Sequence, residues 1–380
     1  MSKAIYLDYN ATTPIDPAAA QAMLPVLYGN YGNPSSSHEH GLAAKKLVDK
    51  ARSQVSGLLG CGTDEVIFTS GGTESNNYAI KGAAWAYRER GQHIITSAIE
   101  HPAVLEVCEW LEQQGFRITI LPVDSTGTVN PQDLEDALEN DTILVSIMHA
   151  NNEVGTIQPI CELARLAHSR GALFHTDAAQ SVGKIPVNVL QLEVDLLSVA
   201  GHKVYAPTGI GVLYVRSGIS LAKFMHGAGH ESGRRAGTEN VLEMTGLGAV
   251  CEIARIDLDK NMAHYRQMRD RLESGLIHRL GSKQVHINGH PEKRLPNTLS
   301  LSFYKIEANR LLDRISPNVS ASAGAACHAG DVHLSTVLQA MKVPVDWAMG
   351  TVRFSTGRGT TAEQIDTAIE VVSQAVRELA

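Results

Sequence analysis

The stretch Asp195-Leu-Leu-Ser-Val-Ala-Gly-His-Lys-Val-Tyr-Ala-Pro-Thr-Gly-Ile-Gly-Val-Leu213 decides the architecture. An apolar run of strand type delivers Gly201, His202 and Lys203. The chain then turns through Pro207, Gly209 and Gly211 into a second apolar run, Val212 to Val215. A lysine between two buried-looking strands is uncommon, because an ammonium group is rarely buried without a partner or a task. Loss of hydration lowers its pKa toward neutrality and makes the amine a competent nucleophile toward an aldehyde. The competing reading is a surface lysine in an ordinary hairpin.

Working outward, β-type runs at 66–69, 93–97, 117–121, 142–148, 172–176, 194–199 and 211–215 alternate with helical stretches near 73–89, 103–114, 131–139 and 160–170. That alternation predicts an α/β domain with a mostly parallel sheet. Upstream, Asp16-Pro17 reads as the N-cap and first residue of a helix to Tyr28, and a second helix follows from Gly41 to Leu59. Downstream, a helical region over roughly 241–280 has charges near its middle that mark a break. Beyond it come β-type runs 298–303 and 351–355 and helices near 307–315, 334–341 and 361–379, a smaller α+β unit. The expected domains are 14–257, and 1–13 together with 258–380.

Ligands of open α/β sheets sit at the carboxyl ends of the strands, so the residues after each run matter most. Val66–Thr69 is followed by Ser70-Gly-Gly-Thr-Glu-Ser75 at a helix start, where glycines and free N–H groups can cradle a phosphate. His101, Asn152, Asp177, Gln180 and Lys203 follow other runs, so all lie at one edge of one sheet. Lys203 is therefore read as the Schiff-base lysine of a pyridoxal-phosphate (PLP) enzyme. Asp177 suits the protonated ring nitrogen through a charge-assisted hydrogen bond. His101 suits the ring face, and the amides of Asn152 and Gln180 suit the ring hydroxyl or a substrate carboxylate.

In the smaller unit, Ser320-Ala-Ser-Ala-Gly-Ala-Ala-Cys-His-Ala-Gly330 surrounds one cysteine with small residues. With no large apolar neighbour to bury it, Cys327 reads as a reactive thiol on a mobile loop. The other cysteines (Cys61, Cys108, Cys161, Cys251) read as structural. They form no Cys-x-x-Cys pair, which argues against a disulfide framework or a zinc site and fits a reducing cytoplasm. No metal is expected. The 380 residues carry a net charge of −7, which gives no reason to expect nucleic acid as a direct partner. No apolar run has the length of a membrane span, and the N-terminus lacks the layout of a signal peptide.

Several of these segments together resemble the cysteine desulfurases of the nitrogen-fixation and iron–sulfur assembly type, in the class V aminotransferase group. They include Tyr6-Leu-Asp-Tyr-Asn-Ala-Thr-Thr, Thr69-Ser-Gly-Gly-Thr-Glu-Ser-Asn, Glu100-His, Asn151-Asn-Glu-Val-Gly, His175-Thr-Asp-Ala-Ala-Gln, Gly201-His-Lys, the Gly-rich loop to Gly237-Thr238, the cysteine loop and Val352-Arg-Phe-Ser. The resemblance implies PLP fold type I and a homodimer with a shared active site. It implies that Lys203 carries PLP, that Asp177 meets the pyridine nitrogen and that His101 covers the ring and acts in catalysis. Gly72, Thr73 and His202 would hold phosphate, Thr238 would reach the partner's phosphate, and Gln180 would bond the ring hydroxyl. Asn152 and Arg353 would hold the carboxylate of L-cysteine. Cys327 would take the substrate sulfur as a persulfide, leaving alanine, and pass it to an acceptor protein in iron–sulfur assembly or another thiolation pathway such as DNA phosphorothioation.

Two departures stand out. The resembled enzymes usually have serine two residues before the His-Lys pair, where this chain has Ala200. The cysteine loop reads Ala325-Ala-Cys-His328, a form similar to selenocysteine lyases and to desulfurases serving DNA phosphorothioation. Selenocysteine lyase is therefore the alternative activity.

Overall fold

The computed structural model describes residues 4–328 and 331–380; for residues 325–328 and 331–333 only the backbone is described. The large sheet is built from β1 (Val66–Thr69), β2 (His93–Ser97), β3 (Arg117–Leu121), β4 (Thr142–Ser146), β5 (Leu173–Asp177), β6 (Leu196–Ala200) and β7 (Gly211–Val215). Its seven strands run in the order β1-β7-β6-β5-β4-β2-β3. All neighbours are parallel except β7, which is antiparallel to both β1 and β6. The exception follows from the hairpin: a short connection can only reverse the chain.

The residues of these strands explain the three layers. In the interior strands every position is buried, so the alternation is between two apolar faces. Ile67, Ile94, Leu144, Leu196 and Leu213 pack on one face with Tyr78 and Ile80 of the helix Gly72–Ala86 and with Val104 and Leu111 of the helix Pro102–Gln113. Their chain neighbours Phe68, Ile95, Val145, Leu197 and Val212 face the other way, onto Val48, Leu163 and Leu247 of the helices Glu39–Leu59, Ile160–Ser169 and Val241–Ile256. Only edge strand β3 shows exposed positions.

A second sheet has the order β10-β11-β9-β8, with β8 Val285–Asn288, β9 Thr298–Phe303, β10 Ser322–Ala323 and β11 Thr351–Ser355, all antiparallel. Its core is separate: Leu272 and Leu276 of the helix Leu258–Leu280 and Ile365, Val372 and Val376 of the helix Ala362–Leu379 cover Leu299, Leu301 and Phe354. The N-terminal Leu7 belongs to this core.

Two expectations are corrected. Strand β8 was not foreseen, because only Val285 and Ile287 of Val-His-Ile-Asn carry the apolar alternation. The segment 320–330 was read as a loop, yet Ser322–Ala323 pairs with β11, and Ala325–His328 pairs antiparallel with Asp331–Leu334. Backbone pairing supplies the hydrogen bonds there and needs no bulky side chain. The expected mobility of the Cys327 side chain lies outside the described residues. No helix among the described residues is long and apolar enough to cross a membrane.

Candidate active site

A cavity of about 220 Å³ opens at the carboxyl ends of β1, β2, β4, β5 and β6. Gly72, Thr73, His101, Asn152, Asp177, Gln180, His202 and Lys203 all line it. Lys203 arrives because β6 ends in a short 3₁₀ turn, Gly201–Lys203. Gly201 is required at its start: a Cβ there would stand 2.7 Å from the Ile210 carbonyl oxygen. Burial pulls the Lys203 ammonium below its ordinary pKa; Asp177 opposes that fall and Arg353 adds to it.

Asp177 ends β5 and is 6 % exposed. Its Oδ2 accepts from Asn76 Nδ2 at 2.7 Å and its Oδ1 from the Ala179 N–H at 2.9 Å. The Oδ1 of Asn76 is buried in the same cavity lining without a protein partner. His101 caps the helix Pro102–Gln113, its Nδ1 accepting the Ala103 N–H at 3.1 Å. That contact leaves the proton of the neutral ring on Nε2. Burial holds its pKa below 6.5, with Asp177 pulling up and Lys203 pulling down.

At the other end of the cavity the helix Gly72–Ala86 points its N-terminus inward. Gly71 before it has φ of 151°, a backbone few other residues adopt, and Gly211 of β7 passes so near that a Cβ would meet Gly71 at 2.6 Å. Ala200 also lines this end, so it supplies no hydroxyl. His202 Nδ1 lies 3.1 Å from Thr12 Oγ1, and its carbonyl accepts from the Thr13 hydroxyl and N–H. Burial, then Lys203 and Lys184, push its pKa down.

Arg353 comes from β11 of the other sheet. Its guanidinium donates to the Asn152 carbonyl at 3.0 Å and to Asp8 Oδ1 at 2.8 Å, while its Nε is buried and unpartnered. Asp8 also accepts from Ser322 in β10. Thr238 is exposed and does not line its own chain's cavity. The side chain of Cys327 lies outside the described residues.

Four residues with a part in the site had no assigned role in the sequence reading: Asp8, Asn10, Asn76 and Lys184. Asn76 stands four residues into the helix that opens at Gly72, a spacing that turns it onto the sheet face, and this signal was legible. Asp8 and Asn10 act through partners distant in the chain, which no local pattern reveals, whereas Lys184 meets both Gln180, four residues earlier, and the distant Asn10.

The donor set fits one kind of guest. A helix N-terminus suits a phosphate, a buried carboxylate suits a protonated ring nitrogen, and a depressed lysine suits an aldehyde. The chain belongs to the class-V aminotransferase family, whose pattern matches residues 5–367. It is 46 % identical over 379 residues to cysteine desulfurase IscS of Methanosarcina thermophila, covering 100 % of this chain and 93 % of that one. A solved NIFS-like protein superposes with a TM-score of 0.93 at 38 % identity over 99 % of this chain and 100 % of that one. DndA from Streptomyces lividans follows at TM-score 0.77 and 37 % identity, over 92 % and 99 % of the two chains. The cofactor of the family and of its cysteine desulfurases is PLP.

Proposed function

We propose that the protein is a PLP-dependent cysteine desulfurase that converts L-cysteine to L-alanine and leaves the sulfur as a persulfide on Cys327. The observation that carries the reading is the meeting of Lys203, Asp177 and His101 on one cavity fitted for phosphate at its far end. The relatives' names do not favour the selenocysteine lyase alternative.

Lys203 would hold the cofactor aldehyde, Asp177 its ring nitrogen, and Gly72, Thr73 and His202 its phosphate. When bound, the cofactor supplies an electron sink that makes the substrate's Cα–H acidic. The chain's own residues do the rest. Arg353 and Asn152 orient the substrate carboxylate; the planar guanidinium fork suits that task. The Lys203 amine, its pKa lowered by burial, takes and returns protons. His101 offers its Nε2 proton toward the cavity. In the sulfur step the Cys327 thiolate forms an S–S bond as the substrate Cβ–S bond breaks. The electron pair of that bond stays with Cβ, which takes a proton and becomes the methyl group of alanine. The persulfide sulfur then passes to a thiol acceptor, in iron–sulfur assembly or another thiolation pathway.

The active unit is a homodimer of two-domain subunits, 14–257 and 1–13 with 258–380, working in the cytoplasm. The large apolar side chains Ile15, Leu27, Tyr28, Tyr31 and Leu42, all within the first 42 residues, are exposed, which supports pairing. Thr238, exposed and away from its own cavity, would serve the partner's phosphate. Purified protein given L-cysteine releases alanine and thiol-reducible sulfur in equal amounts. A bound visible chromophore with no alanine from cysteine, but rapid alanine from selenocysteine, overturns the reading. Sedimentation of a fully active monomer overturns the shared site.

A further inference from the structure

Behind the cavity lies a buried lysine outside the machinery above. Lys184 is 4 % exposed, and no carboxylate among the described residues lies within ion-pair distance of it. Its Nζ stands 2.7 Å from Gln180 Oε1 and 3.3 Å from Asn10 Oδ1. A lysine buried against two amide oxygens, with no anion, calls for a reason.

The polarity of the surrounding network is fixed by three main-chain carbonyls, which only accept. Gln180 Nε2 donates to the Asn10 carbonyl at 3.0 Å, Asn10 Nδ2 to the Asn152 carbonyl at 3.2 Å, and Asn297 Nδ2 to the Thr356 carbonyl at 3.4 Å. Asn10 Oδ1 therefore accepts, from Asn297 at 2.9 Å and from Lys184. The oxygen of Gln180 is likewise the end turned to Lys184. Its nitrogen spends one N–H on Asn10 and keeps the second, and Gln180 lines the cavity.

We infer that Lys184 is a positioning residue: together with the Asn10 carbonyl it locks the Gln180 amide so that an N–H, and not the carbonyl, is presented to the hydroxyl oxygen of the bound pyridoxal ring. This rests on the reading of Gln180 as the partner of that oxygen. The consequence is chemical. An N–H stabilises the ring oxygen as an anion, whereas a carbonyl would require it to keep its proton. The charges that bear on Lys184 are Lys203 and Arg353, and with burial they push its pKa well below 10.5. A lysine that yields its third proton retains two N–H groups, the number its two oxygen partners take.

The test is a double-substitution cycle on the cofactor-loaded protein, read by the pH dependence of the visible absorption band. Asp177, His101, His202 and Lys203 also line the cavity, Arg353 acts on Lys184 and Lys203 by its charge, and all are unchanged throughout the cycle. Loss of a donor to the anionic oxygen raises the pKa at which the chromophore gives up its proton. Lys184→Met is expected to raise it by about one pH unit, a change the size of one lost hydrogen bond to a charged group. In the Gln180→Ala background the same substitution is expected to change nothing, because Lys184 has no amide left to orient. An unchanged chromophore pKa in Lys184→Met overturns the inference. So does an equal rise in the Gln180→Ala background, which would mark a direct charge effect. If Gln180→Ala itself leaves the pKa where it was, Gln180 does not meet the ring oxygen, and that reading falls with the inference. Lys184→Leu repeats the cycle; loss of folded, loaded protein in both variants assigns Lys184 a structural role and overturns the positioning one.

Discussion

Asp177→Asn separates electrostatics from structure at this site. Two donors face the carboxylate, the Ala179 N–H and Asn76 Nδ2. An introduced amide keeps one acceptor and turns one NH₂ group toward Asn76. Asn76 can answer, because its own Oδ1 is buried and unpartnered, so a half-turn of its amide presents an acceptor. The variant thus exchanges charge-assisted bonds for neutral ones, a loss of about 1 kcal/mol, and should fold. The cost in rate is larger. A neutral amide cannot hold the ring nitrogen protonated, and removing one such preorganised electrostatic contact costs about 100- to 1000-fold. Lys203 also loses the anion that holds its pKa up, so its amine should titrate lower. The assay is alanine release at saturating cysteine, alongside cofactor content and the thermal midpoint. Folded, loaded Asp177→Asn protein with near-normal turnover would refute the reasoning. Collapse of the fold would refute the account of Asn76.

Glu231→Ala tests a different kind of contact. Glu231 takes both terminal guanidinium nitrogens of Arg52, at 2.7 and 2.8 Å, and the Phe68 N–H at 2.9 Å on the open edge of β1, so denaturant unfolding should show a loss of about 3–5 kcal/mol; a loss under about 1 kcal/mol would rank the pair with surface bridges. Cys327→Ala should load the cofactor and bind cysteine yet release little alanine, and wild-type release would remove Cys327 from the sulfur step. Stability should also depend on pH in two directions. His149 and His175 are buried neutral with pKa near 4, so the stability they contribute is complete above 6.5 and is lost as pH falls toward 4, about 3 kcal/mol each. Glu100, pushed up to about 8 by burial, contributes stability that is complete below 4.5 and is lost as pH rises through 8. Glu100→Gln should therefore flatten the loss of denaturant midpoint between pH 6.5 and 8, and an unchanged slope there would count against a protonated Glu100.

Much of the fold was legible because its signals are local. The strands at 66–69, 93–97, 211–215, 298–303 and 351–355 fall where the β-type runs place them, since a strand buried on both faces writes itself as a short run, and the half-exposed edge strand at 117–121 falls where its β-branched residues place it. The stretch around Lys203 marked its two flanking strands and the edge of the sheet where the cavity forms, while the antiparallel direction of β7 came from the structure. Residues following the strands, among them His101, Asp177 and Lys203, could be gathered into one site because a parallel sheet presents all its carboxyl ends together.

Tertiary structure alone decided what depends on partners far apart in the chain. Asp8 meets Arg353, Asn10 meets Lys184 and Thr298, and Glu231 meets Arg52. Each is a polar group whose neighbours in sequence look like ordinary turn or helix residues. The hairpin at Ala325–His328 belongs to the same class, since small residues carry no periodic signal and only backbone pairing makes them a strand. A sequence displays the groups that must be buried or placed after a strand. It does not display which distant donor satisfies a buried acceptor, because that is set by how elements far apart in the chain pack together.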